Sequence, residues 1–356
     1  MSELLSRREF LGKVRNFAVG VAVAPAVAAL DRVVPRFSEA PVKPSVNPDY
    51  LTALKRKALP DSMPSYVADP ETVDRMVRST VIVTSNLEPY ETSKDQYPAT
   101  GVVIGRDRMV THIDPLSKLY RSHYAESFEM REDGTWTVIL QPPDEDAHFL
   151  VGHPQYKWIP GKVTNYDKPS ELLTAKLDVS DGGFDVSPLA TESLQAGEAV
   201  MALSYNPQKH ATEGADAILK VGMVYLGDYE VDGSVRNVFA VGLGRDAKEL
   251  HAAMAYPERP RDPQVVDEQK TPSVLEPYGS VGSPVFNQRG GVSGLVTEVV
   301  SPAGQWFDHW TCLRNIDILN QLGYETPTDK YQLPDLVLAS PASSIAAVPP
   351  FQYTSE

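Results

Sequence analysis

The sequence predicts an all-β protein, and three observations support this fold class. Short runs of β-branched and aromatic residues recur between residues 80 and 300, separated by turns rich in Gly, Pro, Asp and Asn. The chain has 356 residues, enough for one large or two modest domains with a proper core. Helical spacing is clearest only in two short segments, 71–79 and 313–324. Many short strands of this kind are typical of a β-barrel or β-sandwich.

The strands follow one another with few interruptions. STVIVTS is the first, and ATGVVIG and RMVTHI form a predicted hairpin around Arg106-Asp107. Later strands are expected, in chain order, in TWTVILQ, KVTNYD, ELLTAKLDV, EAVMALSY, LKVGMVYLGDY, VRNVFAVGL, SPVFN and GVSGLVTEVV. The late helix, Leu313–Tyr324, places Leu313, Ile316 and Leu319 along one side, and Gly323 is positioned to end it.

Composition divides the chain into four segments. Residues 1–30 are predicted to be an export signal, and residues 31–70, rich in proline, an extended linker or a wrapping arm. The folded β domain is expected over residues 71–325. Residues 326–356 are rich in Pro, Ser and Ala and are predicted to form a loosely held, low-complexity tail.

The N-terminus carries a targeting pattern. SRREFLGK, residues 6–13, resembles the twin-arginine export motif S-R-R-x-F-L-K and differs by the inserted Gly12. The uncharged run Ala18–Leu30 is shorter than the roughly 20 residues of a membrane-spanning helix and has secretory proportions. With Arg7 and Arg8 as the recognition pair, we expect export to the periplasm or outside the cell. Membrane contact is expected only through this segment if it is not cleaved; the alternative is an ordinary N-terminal helix.

Charge and composition exclude several functions. The net charge is −14 and the isoelectric point about 5.0, so nucleic acid is not an expected partner, because phosphate binding needs a basic surface. The seven histidines are scattered, and no metal-ligand spacing or phosphate-binding glycine loop is apparent. We therefore expect no metal and no cofactor. The single cysteine, Cys312, precludes an intrachain disulfide.

Four segments, in order, resemble the trypsin-like (chymotrypsin-fold) serine peptidases, particularly their bacterial exported type. ATGVVIGRDRMVTHI is similar to the family's G-(S/T)-G-x-x-I and V-L-T-A-A-H stretch, and KVTNYDKPSELLTAKLDV to its D-L-A-L-L-K-V strand. AGEAVMALSYNP is similar to G-x-x-V-x-A-I-G-Y-P, and GSVGSPVFNQRGGVSGLVTEV to the serine turn and the hairpin after it. The resemblance covers about residues 72–320. It implies two six-stranded β-barrels closed by a C-terminal helix.

The resemblance also locates the serine turn, YGSVGSPVF, residues 278–286. The family pattern G-x-S-G-G/S-P places Gly279 and Gly282 correctly but puts Val281 at the position of the nucleophile. Gly279, Val281 and Gly282 would then form the turn whose backbone N–H groups make the oxyanion hole. Ser280 lies one residue early and would serve only in a rearranged turn.

The other two catalytic positions are also altered. The family has T-A-A-H, whereas here Thr111 is followed directly by His112. Counted without a gap, Asp114 occupies the place of the histidine; counted with a two-residue deletion, His112 does. The carboxylate position holds Glu171, which is one methylene longer than aspartate.

These losses favour one function and leave two alternatives. We expect an exported, catalytically inactive homologue that binds a peptide or protein ligand in the former substrate groove by strand addition. The first alternative is an active serine endopeptidase with a rearranged triad of Ser280, His112 and Glu171. The second is an unrelated β-rich surface binding protein whose motif matches are coincidental.

Overall fold

The computed structural model describes the greater part of the predicted β domain. The described residues are 52, 56–84, 99–112, 127–130, 136–139, 148–153, 156–167, 170–179, 184–205, 218–231, 233–254, 281–302 and 309–348. The predicted export signal with Arg7 and Arg8 lies outside them, as do Asp114, Gly279 and Ser280.

The first of two closed barrels is built from strands in the order β1-β2-β3-β8-β7-β6. Its strands are Thr80–Thr84 (β1), Ala99–Gly105 (β2), Arg108–His112 (β3), His148–His153 (β6), Tyr156–Asp167 (β7) and Leu172–Leu177 (β8). Between β3 and β6 the chain forms a separate antiparallel pair, Ser127–Met130 (β4) with Trp136–Ile139 (β5). The β2–β3 hairpin confirms the predicted turn at residues 106–107.

The second closed barrel has the order β10-β11-β14-β13-β12-β9. Its strands are Ala199–Tyr205 (β9), Ile218–Val231 (β10), Ser234–Val241 (β11), Pro284–Phe286 (β12), Val292–Val300 (β13) and Asp335–Pro341 (β14). Neighbouring strands in both barrels pair antiparallel. The predicted all-β fold class, with two six-stranded barrels, is therefore confirmed.

Successive side chains of a strand point to opposite faces of the sheet, so one set fills the barrel interior and the other set forms the contact between the two barrels. Val103 and Met109 point into the first barrel, whereas their neighbours Val102 and Val110 join a cluster shared with the second barrel. Strand β9 is buried along its whole length because one face lines its own barrel and the other meets the first barrel. Burying each large apolar side chain in this way contributes roughly 1.5–3 kcal/mol.

Four helices accompany the barrels in the described part of the chain: Pro70–Ser79 (α1), Gly244–Met254 (α2), His309–Gln321 (α3) and Ala342–Ala347 (α4). Helix α1 begins where predicted, because the Asp69 side chain accepts from the backbone N–H of Thr72. Helix α3 confirms the predicted late helix, but Leu313 is 41% exposed and does not lie on the buried face. No helix in these ranges is long and apolar enough to cross a membrane.

The described part of the proline-rich segment, 56–70, is a wrapping arm. The backbone N–H of Met63 donates to Asp246 Oδ2 at 2.8 Å, and Tyr66 Oη donates to the carbonyl oxygen of Asn287 at 2.8 Å. Tyr66 is buried in the cluster that the two barrels share. Residues 56–70 thus pack against the folded domain, and the form of the preceding part of the segment stays a prediction.

The expectation of a low-complexity tail over 326–356 needs correction. Strand β14 closes the second barrel between β11 and β13, and Ile345 of α4 is fully buried. Strand β13 approaches β14 closely, because a Cβ at Gly294 would lie 3.0 Å from the carbonyl oxygen of Ser340 and 3.3 Å from Ala339 Cβ. The described residues of this segment are therefore packed, and the folded domain extends past residue 325.

Candidate functional site

The structure brings together two of the sequence-predicted site residues, His112 and Glu171. His112 is the last residue of β3, and Glu171 immediately precedes β8, which pairs with β3 so that His112 lies opposite Leu172. His112 Nε2 and Glu171 Oε2 are 3.0 Å apart. Since an ionised carboxylate only accepts, Nε2–H is the donor in this hydrogen bond. The imidazole is 2% exposed, whereas the carboxylate side chain is 49% exposed.

Glu171 occupies a strained turn. Its φ is +55°, in the left-handed region that few residues other than glycine adopt. Such conformations cost on the order of 1–3 kcal/mol and persist where their surroundings hold them. Within the turn, both the backbone N–H and the hydroxyl of Ser170 donate to Asp167 Oδ2. The carboxylate is therefore presented to His112 at an energetic cost.

Electrostatics keep Glu171 ionised. The hydrogen bond from His112 holds the pKa of Glu171 below its usual value, and the charges of His112 and Arg236 act in the same direction against burial. The pKa of Glu298 is instead raised, first by burial and then by the negative charge of Glu171, although Arg314 and Arg236 oppose this. Two carboxylates and two guanidinium groups thus influence one another at the junction of the barrels.

The imidazole is oriented opposite to the arrangement used in serine catalysis. In a Ser-His-Asp triad, Nδ1–H bonds to the carboxylate, and Nε2 takes the proton of the serine. Here Nε2 bonds to Glu171. Rotating the ring by 180° about its Cβ–Cγ bond would exchange Nε2 with a carbon, so such a rotation does not restore the catalytic arrangement.

The serine turn lies against the end of β3. Gly282 has φ +86°, and its backbone N–H donates to the carbonyl oxygen of Val296 at 2.8 Å. A Cβ at Gly282 would lie 2.2 Å from the carbonyl oxygen of Thr100, 2.9 Å from Thr111 Oγ1 and 3.3 Å from His112 N. Glycine is therefore needed at this position.

The residue before Gly282 is Val281, which is 8% exposed and carries no hydroxyl. The structure thus brings Gly282 to the end of β3, where His112 meets Glu171. It does not test the contributions of Asp114, Gly279 or Ser280, which lie outside the described residues and stay predictions.

Comparisons with known proteins concern the fold. No family model and no curated protein matches the sequence. Among solved structures, the inactive form of the Rv3671c protease of M. tuberculosis is 13% identical, with a TM-score of 0.39, over 79% of this chain and 94% of that chain. Deg5 is 12% identical, with a TM-score of 0.41, over 78% and 90%. The HtrA-type protease AlgW, solved with a tripeptide, is 9% identical, with a TM-score of 0.43, over 78% and 60%.

Identities and TM-scores this low transfer no residue role to this chain. The strand order itself, two closed six-stranded antiparallel barrels, matches the architecture that the sequence resemblance implies. The fold is the trypsin-like double β-barrel. In this chain the last strand, β14, follows helix α3 along the sequence, and the short helix α4 comes after β14.

One feature of this site escaped the sequence analysis. Arg236, on β11, is 7% exposed, and its charge acts on both Glu171 and Glu298. The available signal was an arginine inside an otherwise apolar strand, VRNVFAV, because a buried arginine needs partners. In the part of the chain that the structure describes, no three His, Cys, Asp or Glu residues are grouped to hold a metal ion.

Proposed function

We propose that this chain is a trypsin-fold peptidase homologue that does not hydrolyse peptides and instead binds an extended peptide or protein segment. The observation that carries the proposal is Val281. It directly precedes the tight Gly282 turn, at the position where the family pattern has the nucleophilic serine. A valine side chain offers no atom that attacks a carbonyl group.

The magnitude of this loss supports inactivity. Removing the nucleophile of a serine protease lowers kcat by roughly 10⁶-fold, because the triad residues act as a unit. The orientation of His112 adds to the loss, since its Nε2 donates to Glu171 and is therefore not available as the general base of a serine triad. The ring is also almost fully shielded from solvent.

A strand edge that no other described strand covers supports peptide binding. Strand β12 pairs with β13 only as far as Leu295, and the Gly282 N–H bond to Val296 extends this contact by one residue. Beyond Val296, no other described strand pairs with β13 on the side away from β14. Residues 297–299 are half-buried there. A ligand strand would pair with this edge by main-chain hydrogen bonds.

Binding is tested with a displayed library of random heptapeptides panned against the purified full-length chain. We expect enriched sequences, and we expect them to slow amide exchange at residues 297–299, measured by mass spectrometry. Protection elsewhere but not on β13 would refute strand addition at this edge. A library without enrichment would oppose peptide binding as a whole.

Inactivity is tested with a fluorophosphonate probe, which labels only an activated serine. We expect no labelling and no hydrolysis of casein or peptide esters by the wild-type protein. We also expect Val281→Ser to stay unlabelled, because the new hydroxyl would lack a correctly oriented imidazole. Labelling of Val281→Ser would mean that His112 reaches the turn and that one substitution silenced an intact site.

The second candidate is the active endopeptidase with Ser280, His112 and Glu171. The adjacency of His112 and Glu171 favours it, although a catalytic arrangement would require the imidazole to present Nδ1 to the carboxylate in place of Nε2. Wild-type labelling that disappears in Ser280→Ala would establish this enzyme and overturn the binding proposal. We further propose export through Arg7 and Arg8, supported by the motif and by the uncharged run that follows it.

A further inference from the structure

Two buried side chains of the second barrel reach the turn of the first barrel that carries Glu171. Arg236, on β11, donates from Nη1 to Ser340 Oγ at 3.0 Å. Ser340, on β14, is fully buried, and its hydroxyl points to the carbonyl oxygen of Ser170 at 3.4 Å. Arg236 and Ser340 thus connect the second barrel to the residue immediately before Glu171.

The turn requires support of this kind. Glu171 has φ +55°, and a strained backbone is retained only where the surrounding structure over-determines it. Asp167 holds Ser170 from within the first barrel by accepting from its N–H and its hydroxyl. Ser340 contacts the opposite, carbonyl side of the same residue, so Ser170 is held from both barrels.

The positive charge of Arg236 supports the same arrangement as the contact between Ser340 and Ser170. Arg236 is 7% exposed, and a guanidinium group stays protonated even when buried. Its positive charge favours the ionised form of Glu171, the form that accepts from His112. Truncating the buried Arg236 would leave the negative charge of Glu171 without this compensating positive charge.

We propose that Arg236 and Ser340 are positioning residues, which hold the Ser170–Glu171 turn so that the Glu171 carboxylate meets His112. The second barrel therefore determines a contact that lies within the first barrel. A substitution of Arg236 on β11 or of Ser340 on β14 would therefore weaken the hydrogen bond from the His112 imidazole to Glu171. This role holds whether or not the chain hydrolyses peptides.

The test follows the Nε2 proton of His112 in the full-length chain labelled with ¹⁵N-histidine. Its resonance is assigned by its loss in His112→Gln. We expect slow exchange with water in the wild type and at least a roughly 10-fold faster exchange in Ser340→Ala and in Arg236→Met, since hydrogen bonds to charged groups are the stronger ones. Arg236→Lys, which keeps a charge and a donor, should lie between the wild type and Arg236→Met.

Arg314→Met is the matched control, because it makes the same chemical change at a half-exposed residue that pairs with Glu298. It should leave the exchange rate within about twofold of the wild type, since exposed pairs are weakly coupled to their surroundings. Far-UV circular dichroism verifies folding, and Ser340→Ala decides the matter if the Arg236 variants do not fold.

An unchanged exchange rate in folded Ser340→Ala would overturn the proposal. So would an equal acceleration in Arg314→Met, since it would indicate a general electrostatic effect. The readout involves neither hydrolysis nor peptide binding. Its failure is therefore distinct from failure of the proposed function.

Discussion

The sharpest structural prediction concerns Gly282 in the serine turn. Gly282→Ala adds a single methyl group at a position where φ is +86° and where that carbon would lie 2.2 Å from the carbonyl oxygen of Thr100. The atom it meets belongs to the backbone of β2 and not to the flexible end of a side chain. The clash is therefore relieved only by moving the turn away from the end of β3.

The expected loss has two parts. A residue other than glycine in the left-handed region loses roughly 1–2 kcal/mol. Overpacking of a tightly packed site adds about 1–3 kcal/mol. The free energy of unfolding should therefore fall by roughly 2–5 kcal/mol, a large share of the 5–15 kcal/mol typical of folded proteins. Gly282→Val, with its branched side chain, should be at least as destabilising.

The variant Gly233→Ala separates the conformational part of the loss from the overpacking part. Gly233 also has a positive φ, +73°, but a Cβ there would meet no atom within 4 Å. We expect this control to lose only the conformational part, roughly 1–2 kcal/mol. Urea denaturation of the two variants should give midpoints that differ by about 1 M, given slopes near 1–3 kcal/mol/M. Equal midpoints would refute the assignment of Gly282 to a crowded turn.

Three further predictions concern export and pH. In the double variant Arg7→Lys with Arg8→Lys, charge is preserved, yet we expect the precursor to stay in the cytoplasm; normal export, measured by cell fractionation, would rule out twin-arginine recognition. Burial raises the pKa of Tyr324 to about 12, so its contribution to stability is present below pH 10 and lost between about pH 10 and 12 as the unfolded chain ionises first. Tyr324→Phe should flatten this alkaline loss in urea titrations and should also lower stability by about 1–3 kcal/mol at pH 7, because the carbonyl of Leu226 loses its donor. The pKa of Glu171 is lowered, so its contribution is present above its unfolded pKa and lost as the pH falls through the folded value; Glu171→Gln should remove this acid-dependent loss, and an unchanged acid limb would show that the hydrogen bond from His112 does not stabilise the fold.

The strands were predictable because their signal is local. Alternation and β-branched residues mark each strand from β1 to β13 that the sequence analysis named, and the family-like segments indicate their pairing in two barrels. Strand β14 was missed for a physical reason. It lies within a stretch rich in Ala, Ser and Pro near the end of the sequence, and such a composition resembles a disordered tail.

The site was predictable to a smaller degree. The order of motifs singled out both His112 and Glu171, and the structure places them side by side because they lie at the ends of neighbouring strands, β3 and β8. The nitrogen that the imidazole presents depends on its side-chain rotamer, which no sequence pattern determines. The role of Arg236 depends on packing between residues far apart in sequence, since it contacts Ser340, 104 positions later.

The energetics at Glu171 bear on which function this site retains. A left-handed glutamate and a buried arginine are both unfavourable by themselves, and a glycine turn beside an apolar strand residue would be less strained. In the proposal above, the bridge from Arg236 through Ser340 to the Glu171 turn offsets these costs, and it links the barrel that carries β13 to the barrel that carries His112. A ligand strand that pairs with β13 would then alter the environment of the imidazole although no bond is broken, so peptide binding and the exchange of the His112 proton should change together.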